Sequence, residues 1–417
     1  LITFRLSNGE TLPTLREYIL AGKENNTSTS LICEIKPSEI STERGKIIAT
    51  KVVKLIHELK AKQMVVYISF DYDILKKIIE LNSKAKTQYL KGDKSPEQLK
   101  ADGITGADYH YSVFQSHPEW IEMAKRNNII LNAWTVNQVA EMDWLIANEF
   151  DFITTNEPEL LTERIKQSPL ANGWSLSWSD EFNYNGLPDS TKWTYEVGGH
   201  GWGNNEKQFY LEKSPENSIV KNGVLKIIAQ KKEYKGLAYT SAKLTTYGKL
   251  NLQYGKIEVM AKLPKGKGNW PAIWMLSESL QKKEEGWPLC GEIDIMEHVG
   301  KDPNMIHTSL HSQLYNHIKG TQHTHFEKQK DVFDTFHKYG IEWSAESINF
   351  FIDDKLFYES FKGQDGRISS NEGWPFDKPF YLILNLAIGG NWGGEIDDTI
   401  FPNEMQIDFV RVFQKSK

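Results

Sequence analysis

Short apolar runs alternate with segments of helical period through the first 165 residues or so. Six such pairs predict a parallel sheet covered by helices, because buried parallel strands are short, continuous and apolar. The apolar runs lie at residues 30–35, 64–70, 87–90, 106–110, 128–134 and 150–154. The helical segments lie at residues 46–60, 73–82, 95–103, 117–126, 137–148 and 157–165.

A (β/α)8 barrel contains eight such units, so the pattern lacks about two units at its front. We therefore predict that residues 1–167 form an incomplete (β/α) TIM-type barrel. Ser95 and Pro96 support one of its helices, since serine is a favoured N-cap and proline suits the first helical turn.

From about residue 172 onward, short strands with close turn signals replace the helical segments. This pattern predicts an antiparallel β-sandwich or barrel over residues 168–417, with residues 165–173 as the linker. The predicted strand segments are residues 223–232, 240–250, 254–263, 292–299, 337–354, 380–390 and 405–414. Tryptophan marks the same division, because ten of the 13 lie between Trp174 and Trp392.

Composition narrows the class of protein. A length of 417 residues favours two domains, and a net charge of -6 with a pI near 6.1 gives no basic footprint for nucleic acid. No apolar run approaches the roughly 20 residues that span a bilayer. The chain starts at Leu1 without a signal segment, and we expect it to be a fragment. Cys33 and Cys290 make no disulfide framework.

The segment "GEIDIMEHVG" (residues 291–300) carries three carboxylates in six residues of an otherwise apolar strand. Glu292 and Asp294 share a face because strand side chains alternate, whereas Glu297 lies at an odd offset. A β-bulge between Asp294 and Glu297 would return Glu297 to that face. The two glutamate Cα atoms would then lie roughly 13 Å apart.

Inward-leaning glutamates would bring their carboxyl groups to about 5 Å, the separation of a retaining glycosidase. Like charges should drive the pKa values of Glu292 and Glu297 apart, giving one anionic nucleophile and one protonated acid. Asp294 would hydrogen-bond the nucleophile and modulate the protons of the trio. The alternatives are a solvated acidic face and a calcium site.

Segments that join tryptophan to glycine, proline or asparagine predict a sugar site, because pyranose rings have apolar faces and polar rims. We expect Trp202, Trp270, Trp287 and Trp392 to line the cleft and Trp274 to lie in the core. The amides of Asn204, Asn205 and Asn391 complete the predicted cleft.

Nine segments in order resemble glycoside hydrolase family 16, particularly its laminarinase-like branch. They are "WSDEFN" (178–183), "GWGNNEKQFY" (201–210), "GKIEVMAKLP" (255–264), "GNWPAIWML" (268–276), "GWPLCGEIDIMEHVG" (286–300), "HTSLH" (307–311), "YGIEWS" (339–344), "LNLAIGGNWGG" (384–394) and "IDFVRVFQ" (407–414). The resemblance covers residues 172–417 and implies a β-jelly roll that cleaves a polymeric glycan internally with retention.

The resemblance also implies residue roles. Glu292 would be the nucleophile, Glu297 the acid/base and Asp294 the residue between them. Trp287 would form the platform under the reacting sugar, and His311 would hydrogen-bond in the cleft. Catalysis needs no cofactor. A structural calcium ion is implied for the convex side, with Glu181, Asp408 and the carbonyl of Gly223 as ligands.

The first part resembles the later two-thirds of a glycerophosphodiester phosphodiesterase barrel. The matching segments are "ETLPTLREYI" (10–19), "LICEIKP" (31–37), "VVYISFDYDILKKI" (65–78), "ILNAWTVN" (130–137) and "FITTNEPELL" (152–161). Glu34, Lys36 and Trp134 match residues of that family. Its chemistry requires two histidines, and none precedes His57 here. We therefore predict no phosphodiesterase activity.

Three functions follow from these patterns. The first is retaining endo-hydrolysis of β-1,3-linked glucan, either laminarin-type or mixed-linkage, with β-galactoside host glycans as alternative substrates. The second is a carbohydrate-binding sandwich without catalysis, and the third is a phosphodiesterase that this sandwich localises. Residues 277–288 and 313–329 are expected to shape the groove, and His317, His323 and His325 to lie in a solvated loop. The resemblance implies an extracellular or periplasmic location.

Overall fold

The computed structural model describes residues 5, 7 and 9–415, and these form two compact units. The N-terminal unit ends at Asn172 and the C-terminal unit begins at Gly173. This division lies five residues after the predicted boundary at 167/168. A 3-10 turn, Pro169–Asn172, follows the last helix, and its Leu170 packs on the N-terminal core.

The N-terminal unit alternates strands with helices as the sequence predicts. Its strands are β1 (Leu31–Glu34), β2 (Val65–Ser69), β3 (Lys86–Tyr89), β4 (Gly106–His110), β5 (Ile130–Trp134) and β6 (Phe152–Ile153). Its helices are α1 (Leu15–Lys23), α2 (Thr42–Glu58), α3 (Tyr72–Leu81), α4 (Pro96–Ala101), α5 (Tyr111–Ser116), α6 (Glu119–Asn127), α7 (Val139–Ala147) and α8 (Pro158–Gln167). Ser95 caps α4 with a capping box, and Pro96 begins it, as predicted.

The six N-terminal strands pair in parallel in chain order, from β1 to β6. This is the six-stranded part of a barrel-type sheet. Within the described residues it forms an open sheet, as expected of the incomplete barrel that we predicted, and a TIM barrel is not confirmed. Its apolar core lies between strands and helices, with Ile74, Leu99 and Leu145 fully buried.

The C-terminal unit is almost entirely β-structure. Its strands are β7 (Trp174–Asp180), β8 (Thr194–Tyr195), β9 (Gln208–Tyr210), β10 (Ser218–Lys221), β11 (Val224–Ala229), β12 (Tyr239–Ser241), β13 (Lys243–Thr245), β14 (Gly255–Lys262), β15 (Asn269–Ser277), β16 (Glu292–Glu297), β17 (Met305–His311), β18 (His323–Lys328), β19 (His337–Trp343), β20 (Ser347–Ile352), β21 (Lys355–Phe361), β22 (Phe380–Ile388) and β23 (Asn403–Lys415). Two four-residue helices, α9 (Glu278–Gln281) and α10 (Gly390–Gly393), interrupt them.

Two large antiparallel sheets build this unit. One has seven strands in the order β18-β17-β16-β15-β22-β13-β8. The other has eight: β10-β11-β23-β14-β19-β20-β21 in order, with β7 also paired to β23. The parallel pair β9 and β12 forms a small third sheet. β16 therefore lies near the middle of the seven-stranded sheet.

A single apolar core includes residues from both large sheets. Ile273, Ile293 and Leu384 of the seven-stranded sheet belong to the same buried cluster as Val259 and Val412 of the eight-stranded sheet. The opposite face of the seven-stranded sheet is thereby left for polar and aromatic side chains. Within the described residues, no helix is both long enough and apolar enough to cross a membrane.

Candidate active site

A β-bulge in β16 gathers three carboxylates on one face. Against β17, Asp294 pairs with Ser309 and Glu297 with His307, so two residues of β16 oppose the single residue between them. The same shift appears against β15, where Met296 pairs with Ile273 and Asp294 with Trp274. The bulge that the spacing predicted is therefore confirmed.

The apolar residues of β16 fix the direction of these carboxylates. Ile293, Ile295 and Met296 are at most 3% exposed and belong to the core of the unit. Gly291 turns the chain into the strand with a φ of 84°, where a Cβ would lie 2.8 Å from Pro375. Packing the apolar face thus leaves the carboxylates on the open face of the seven-stranded sheet.

A tryptophan indole holds each outer carboxylate. Trp287 Nε1 donates to Glu292 Oε2 at 2.9 Å, and Trp270 Nε1 donates to Glu297 Oε1 at 3.0 Å. These N–H donors favour the charged form of each carboxylate and restrict its rotation. Two of the predicted cleft tryptophans therefore touch the two predicted catalytic glutamates.

Asp294 and His311 occupy the space behind Glu292. His311 Nε2 lies 3.1 Å from Asp294 Oδ2 and 3.7 Å from Glu292 Oε1. The Asp294 side chain is 3% exposed, whereas that of Glu292 is 16% exposed. Of these two carboxylates, Glu292 is the more accessible to a ligand at the open face.

All three carboxyl groups bind protons more tightly than usual. Burial, followed by the charge of Asp294, raises the pKa of Glu292 and of Glu297 to about 8. Burial likewise raises the pKa of Asp294 to about 8, against a hydrogen bond with Glu292 that lowers it. We predicted different pKa values for the outer pair, but this separation is absent. Both glutamates share the same burial and the same charged neighbour.

Next to Glu297, two tryptophan rings pack against each other. The rings of Trp270 and Trp392 meet edge to face, with centroids 5.4 Å apart, and the His307 ring lies 4.9 Å from Trp392. Burial lowers the pKa of His307 to about 4, so His307 is neutral near pH 7. Trp392 therefore reaches the trio through Trp270.

The loop between β17 and β18 covers the Glu292 end. The ring of His317 lies 5.0 Å from that of Trp287 and 5.2 Å from that of His311. Sequence reasoning placed this segment at the groove rim but assigned no role to His317. The expected solvated loop is wrong for His323 and His325, which lie on β18. His323 is 5% exposed and pairs with Ser360.

The other predicted cleft residues form a separate group. Asn205 Nδ2 donates to the side chain of Asn391 at 2.9 Å, and the backbone N–H of Asn391 donates to the carbonyl of Asn204. Trp202 contacts none of the trio. Instead, the ammonium of Lys243 lies 4.3 Å from its ring centroid and 4.8 Å from that of Trp274, a cation–π arrangement.

Trp274 lies outside the main core in which we predicted it, and it packs against a small apolar cluster formed by Leu276, Cys290, Tyr381 and Ile383. It faces the site because its cross-strand partner on β16 is Asp294. Its indole N–H donates to Asn385 Oδ1 at 2.7 Å, and Asn385 in turn donates to the hydroxyl of Tyr210. The alternation of β15 decides this orientation, since Ile273 and Met275 take the core face.

The predicted calcium ligands lie on or next to three strands of the eight-stranded sheet, β7, β11 and β23. Asp408 lies on β23, between the residues that pair with β11 and with β7, and Gly223 is in the turn before β11. Both carboxylate oxygens of Glu181 accept hydrogen bonds from Arg411, at 3.0 and 2.9 Å. A calcium ion would have to share this carboxylate with a guanidinium group.

The comparisons with known proteins match the two units of the chain to two different families. Residues 205–411 match the model described as glycosyl hydrolases family 16. A β-glucanase of Rhodothermus marinus is 47% identical over 254 residues, which are 60% of this chain and 88% of the relative. The chain belongs to glycoside hydrolase family 16.

A solved structure and a second relative extend this comparison. The X-ray structure of the laminarinase from Rhodothermus marinus superposes with a TM-score of 0.57 at 46% identity, covering 58% of this chain and 98% of that one. A keratan-sulfate endo-1,4-β-galactosidase of Sphingobacterium multivorum is 37% identical, over 58% of this chain and 55% of its own. The predicted jelly roll is thereby confirmed.

The N-terminal unit has its own family match. Residues 3–160 match the model of the glycerophosphoryl diester phosphodiesterase family, which confirms that resemblance. Glu34 and Trp134 lie at the ends of β1 and β5. Asp108 on β4 is 2% exposed, and burial, followed by the charge of Glu34, raises its pKa to about 7. Lys36 follows β1.

Proposed function

We propose that the C-terminal unit is a retaining endo-glycosidase that hydrolyses β-1,3-linked glucan. The observation that carries this proposal is the pair Glu292 and Glu297 on one face of β16, each bound by an indole N–H. The laminarinase and β-glucanase names of its relatives support the substrate. Polymeric glucan does not cross membranes unaided, so we place the reaction outside the cytoplasm.

Glu292 suits the nucleophile better than Glu297. Both receive one indole N–H, and the neighbouring imidazole of His311 lowers the pKa of both, but His311 Nε2 lies directly beside Glu292, 3.7 Å from Oε1. When the trio holds its protons unequally, the negative charge is therefore best placed on Glu292. Glu297 then retains a proton to donate.

In the first step, a Glu292 oxygen bonds to the anomeric carbon while the glycosidic bond breaks. Glu297 gives its proton to the departing sugar oxygen, leaving a glycosyl-enzyme ester and a Glu297 carboxylate. In the second step, Glu297 takes a proton from water, and the hydroxide oxygen displaces Glu292. The sugar keeps its anomeric configuration because it is inverted twice.

Asp294 acts through its neighbours rather than on the sugar. Its carboxyl is nearly inaccessible and shares a hydrogen bond with Glu292. A proton held between these two groups can move to Asp294 when Glu292 attacks. Asp294 thereby keeps one negative charge on the nucleophile without charging the whole trio.

Product analysis tests the proposal directly. The wild-type chain and a Glu292→Gln variant would be incubated with laminarin, barley mixed-linkage glucan, porcine gastric mucin and glycerophosphocholine. Short gluco-oligosaccharides of mixed lengths from the wild type alone are expected, with the β-anomer as the first product by NMR. The α-anomer would contradict retention, and an active variant would contradict the nucleophile.

Hydrolysis of β-galactoside host glycans is the second candidate. The keratan-sulfate endo-1,4-β-galactosidase relative supports it, since it shares 37% identity with this unit. Both substrates need the same carboxylate chemistry and differ in the ring that the aromatic groups accept. Release of oligosaccharides from mucin, with none from either glucan, would favour this candidate.

Phosphodiesterase inactivity and a structural calcium ion remain predictions from the two resemblances. Release of choline or glycerol phosphate from glycerophosphocholine would contradict the first. Calcium binding should raise the melting temperature of the chain in a manner reversed by EGTA, and Asp408→Asn should abolish that increase. An unchanged melting temperature would contradict the second.

A further inference from the structure

Glu292, Asp294 and His311 direct three metal-ligand atoms into one small space. One atom from each side chain lies within 4.8 Å of the other two. His311 lies on β17 directly opposite Glu292, so two paired strands fix the separation of these groups. The side chains of Asp294 and His311 are 3% and 6% exposed, and Glu292 opens toward ligand. We call these three residues the His–carboxylate cluster.

The contact between His311 and Asp294 is not a hydrogen bond. His311 Nε2 lies 3.1 Å from Asp294 Oδ2, yet this buried oxygen has no hydrogen-bond partner among the described residues. The same nitrogen lies 3.7 Å from Glu292 Oε1. Two ligands of a tetrahedral zinc ion, with bonds of 2.0–2.1 Å, lie about 3.4 Å apart. The observed separations are on either side of that value.

We propose that the His–carboxylate cluster binds one Zn²⁺ or Cu²⁺ ion when the site holds no glycan, and that the bound ion inhibits the enzyme. One imidazole and two carboxylates suit these ions, whereas Ca²⁺ and Mg²⁺ prefer oxygen ligands alone. The two positive charges of the ion would also offset the negative charges of the neighbouring Glu292 and Asp294 carboxylates. The inhibition, though not the metal binding, rests on the proposed glycosidase function.

We expect inhibition because of the Glu292 oxygen that the ion would bind. Glu292 Oε2 accepts the indole N–H of Trp287, so Oε1 is the oxygen that faces His311. A metal on Oε1 withdraws the lone pair that would attack the anomeric carbon. Glycan and metal would therefore compete for the same carboxylate.

Metal binding is tested on the full chain after chelator treatment. Titration calorimetry with ZnCl2 is expected to show one site per chain, and Cu²⁺ electron paramagnetic resonance to show coupling to an imidazole nitrogen. His311→Gln and Asp294→Asn should each weaken the Zn²⁺ Kd by at least about tenfold. Two variants are used because either buried substitution alone could disturb folding, which circular dichroism checks.

His337→Gln provides the matched control. His337 lies on β19 in the other sheet, with Nδ1 2.7 Å from Asp353, so it is also a histidine beside a carboxylate. Its substitution should leave the Zn²⁺ Kd unchanged. Loss of the site in this variant, or unchanged affinity in both folded cluster variants, would overturn the proposal.

Activity separates this proposal from the glycosidase proposal. Zn²⁺ should inhibit laminarin hydrolysis competitively, and EDTA should restore the rate. Zn²⁺ binding that depends on His311 without competitive inhibition would overturn the inhibitory part. A metal-free chain that cleaves no glycan would contradict the glycosidase proposal, while the calorimetry would still decide whether the ion binds.

Discussion

Both units of this chain bury carboxyl groups on a sheet, but their surroundings differ. Asp108 of the N-terminal sheet is 2% exposed and has a pKa near 7, and the trio on β16 has pKa values near 8. Burial, the largest cause of each shift, is thus common to both. A buried carboxyl with a raised pKa therefore does not by itself identify a catalytic group.

The hydrogen-bond donors around the carboxyl groups distinguish the two sheets. On β16, the indoles of Trp270 and Trp287 point at carboxylates. In the N-terminal sheet, the indole N–H of Trp134 goes to the backbone carbonyl of Asp108, and Oδ1 of Asp108 has no hydrogen-bond partner among the described residues. Paired carboxylates with dedicated donors can exchange a proton during a reaction, and Oδ1 of Asp108 has no such donor among the described residues.

The largest expected effect is on the nucleophile. Glu292→Gln keeps the Trp287 contact but removes the attacking charge, so kcat on laminarin should fall by about 10⁴-fold or more while glycan binding persists. Steady-state rates and calorimetric binding would measure this. Glu278→Gln is the control, since Glu278 is a buried glutamate paired with Lys282. Equal losses in both variants would contradict a specific role for Glu292.

Much of the candidate site on β16 could be predicted from the sequence. The even and odd spacings of Glu292, Asp294 and Glu297 required the bulge that the structure has, and the apolar residues between them required a buried face. Trp270 and His311 were also found, because each lies in a motif. The local sequence pattern was enough to predict the site residues that lie within one strand or one motif.

Contacts between distant segments were not predictable. The partners of Trp274 and the approach of His317 depend on strand register and loop path, which periodicity does not specify. β15 was not among the predicted strand segments, although it flanks β16. The equal pKa values arise from burial that only the folded sheets create.

The acid/base residue should show a smaller and conditional effect. Glu297→Ala removes the proton donor, so the rate on laminarin should fall by about 10²- to 10⁴-fold. An aryl glycoside that departs without a proton should lose much less, and azide should restore part of its turnover. Equal losses on both substrates, with no effect of azide, would contradict the assignment.

The indole donor should have a modest effect that depends on pH. Trp287→Phe removes the N–H that stabilises the Glu292 anion, so the pKa of Glu292 should rise further. The acidic limb of the kcat/KM profile should then move to higher pH, with about a tenfold loss below it. Trp120→Phe in the N-terminal core is the control. A limb that moves to lower pH would contradict this role for the indole.

The smallest effect is on stability, and it should be shared by both units. Each carboxyl has a folded pKa above its unfolded value of about 4, so both states are protonated at lower pH. Between pH 4 and about 7 for Asp108, or about 8 for Glu297, only the unfolded state loses the proton, and stability falls as pH rises.

Asp108→Asn and Glu297→Gln remove this penalty. Each should therefore raise the melting temperature by at least about 2 °C at pH 8, relative to its effect at pH 4, in differential scanning calorimetry. Glucan hydrolysis should survive Asp108→Asn within about twofold and fail in Glu297→Gln. If Asp108→Asn also abolished hydrolysis, the two buried carboxyls would not differ in function, and the distinction drawn from their donors would be wrong.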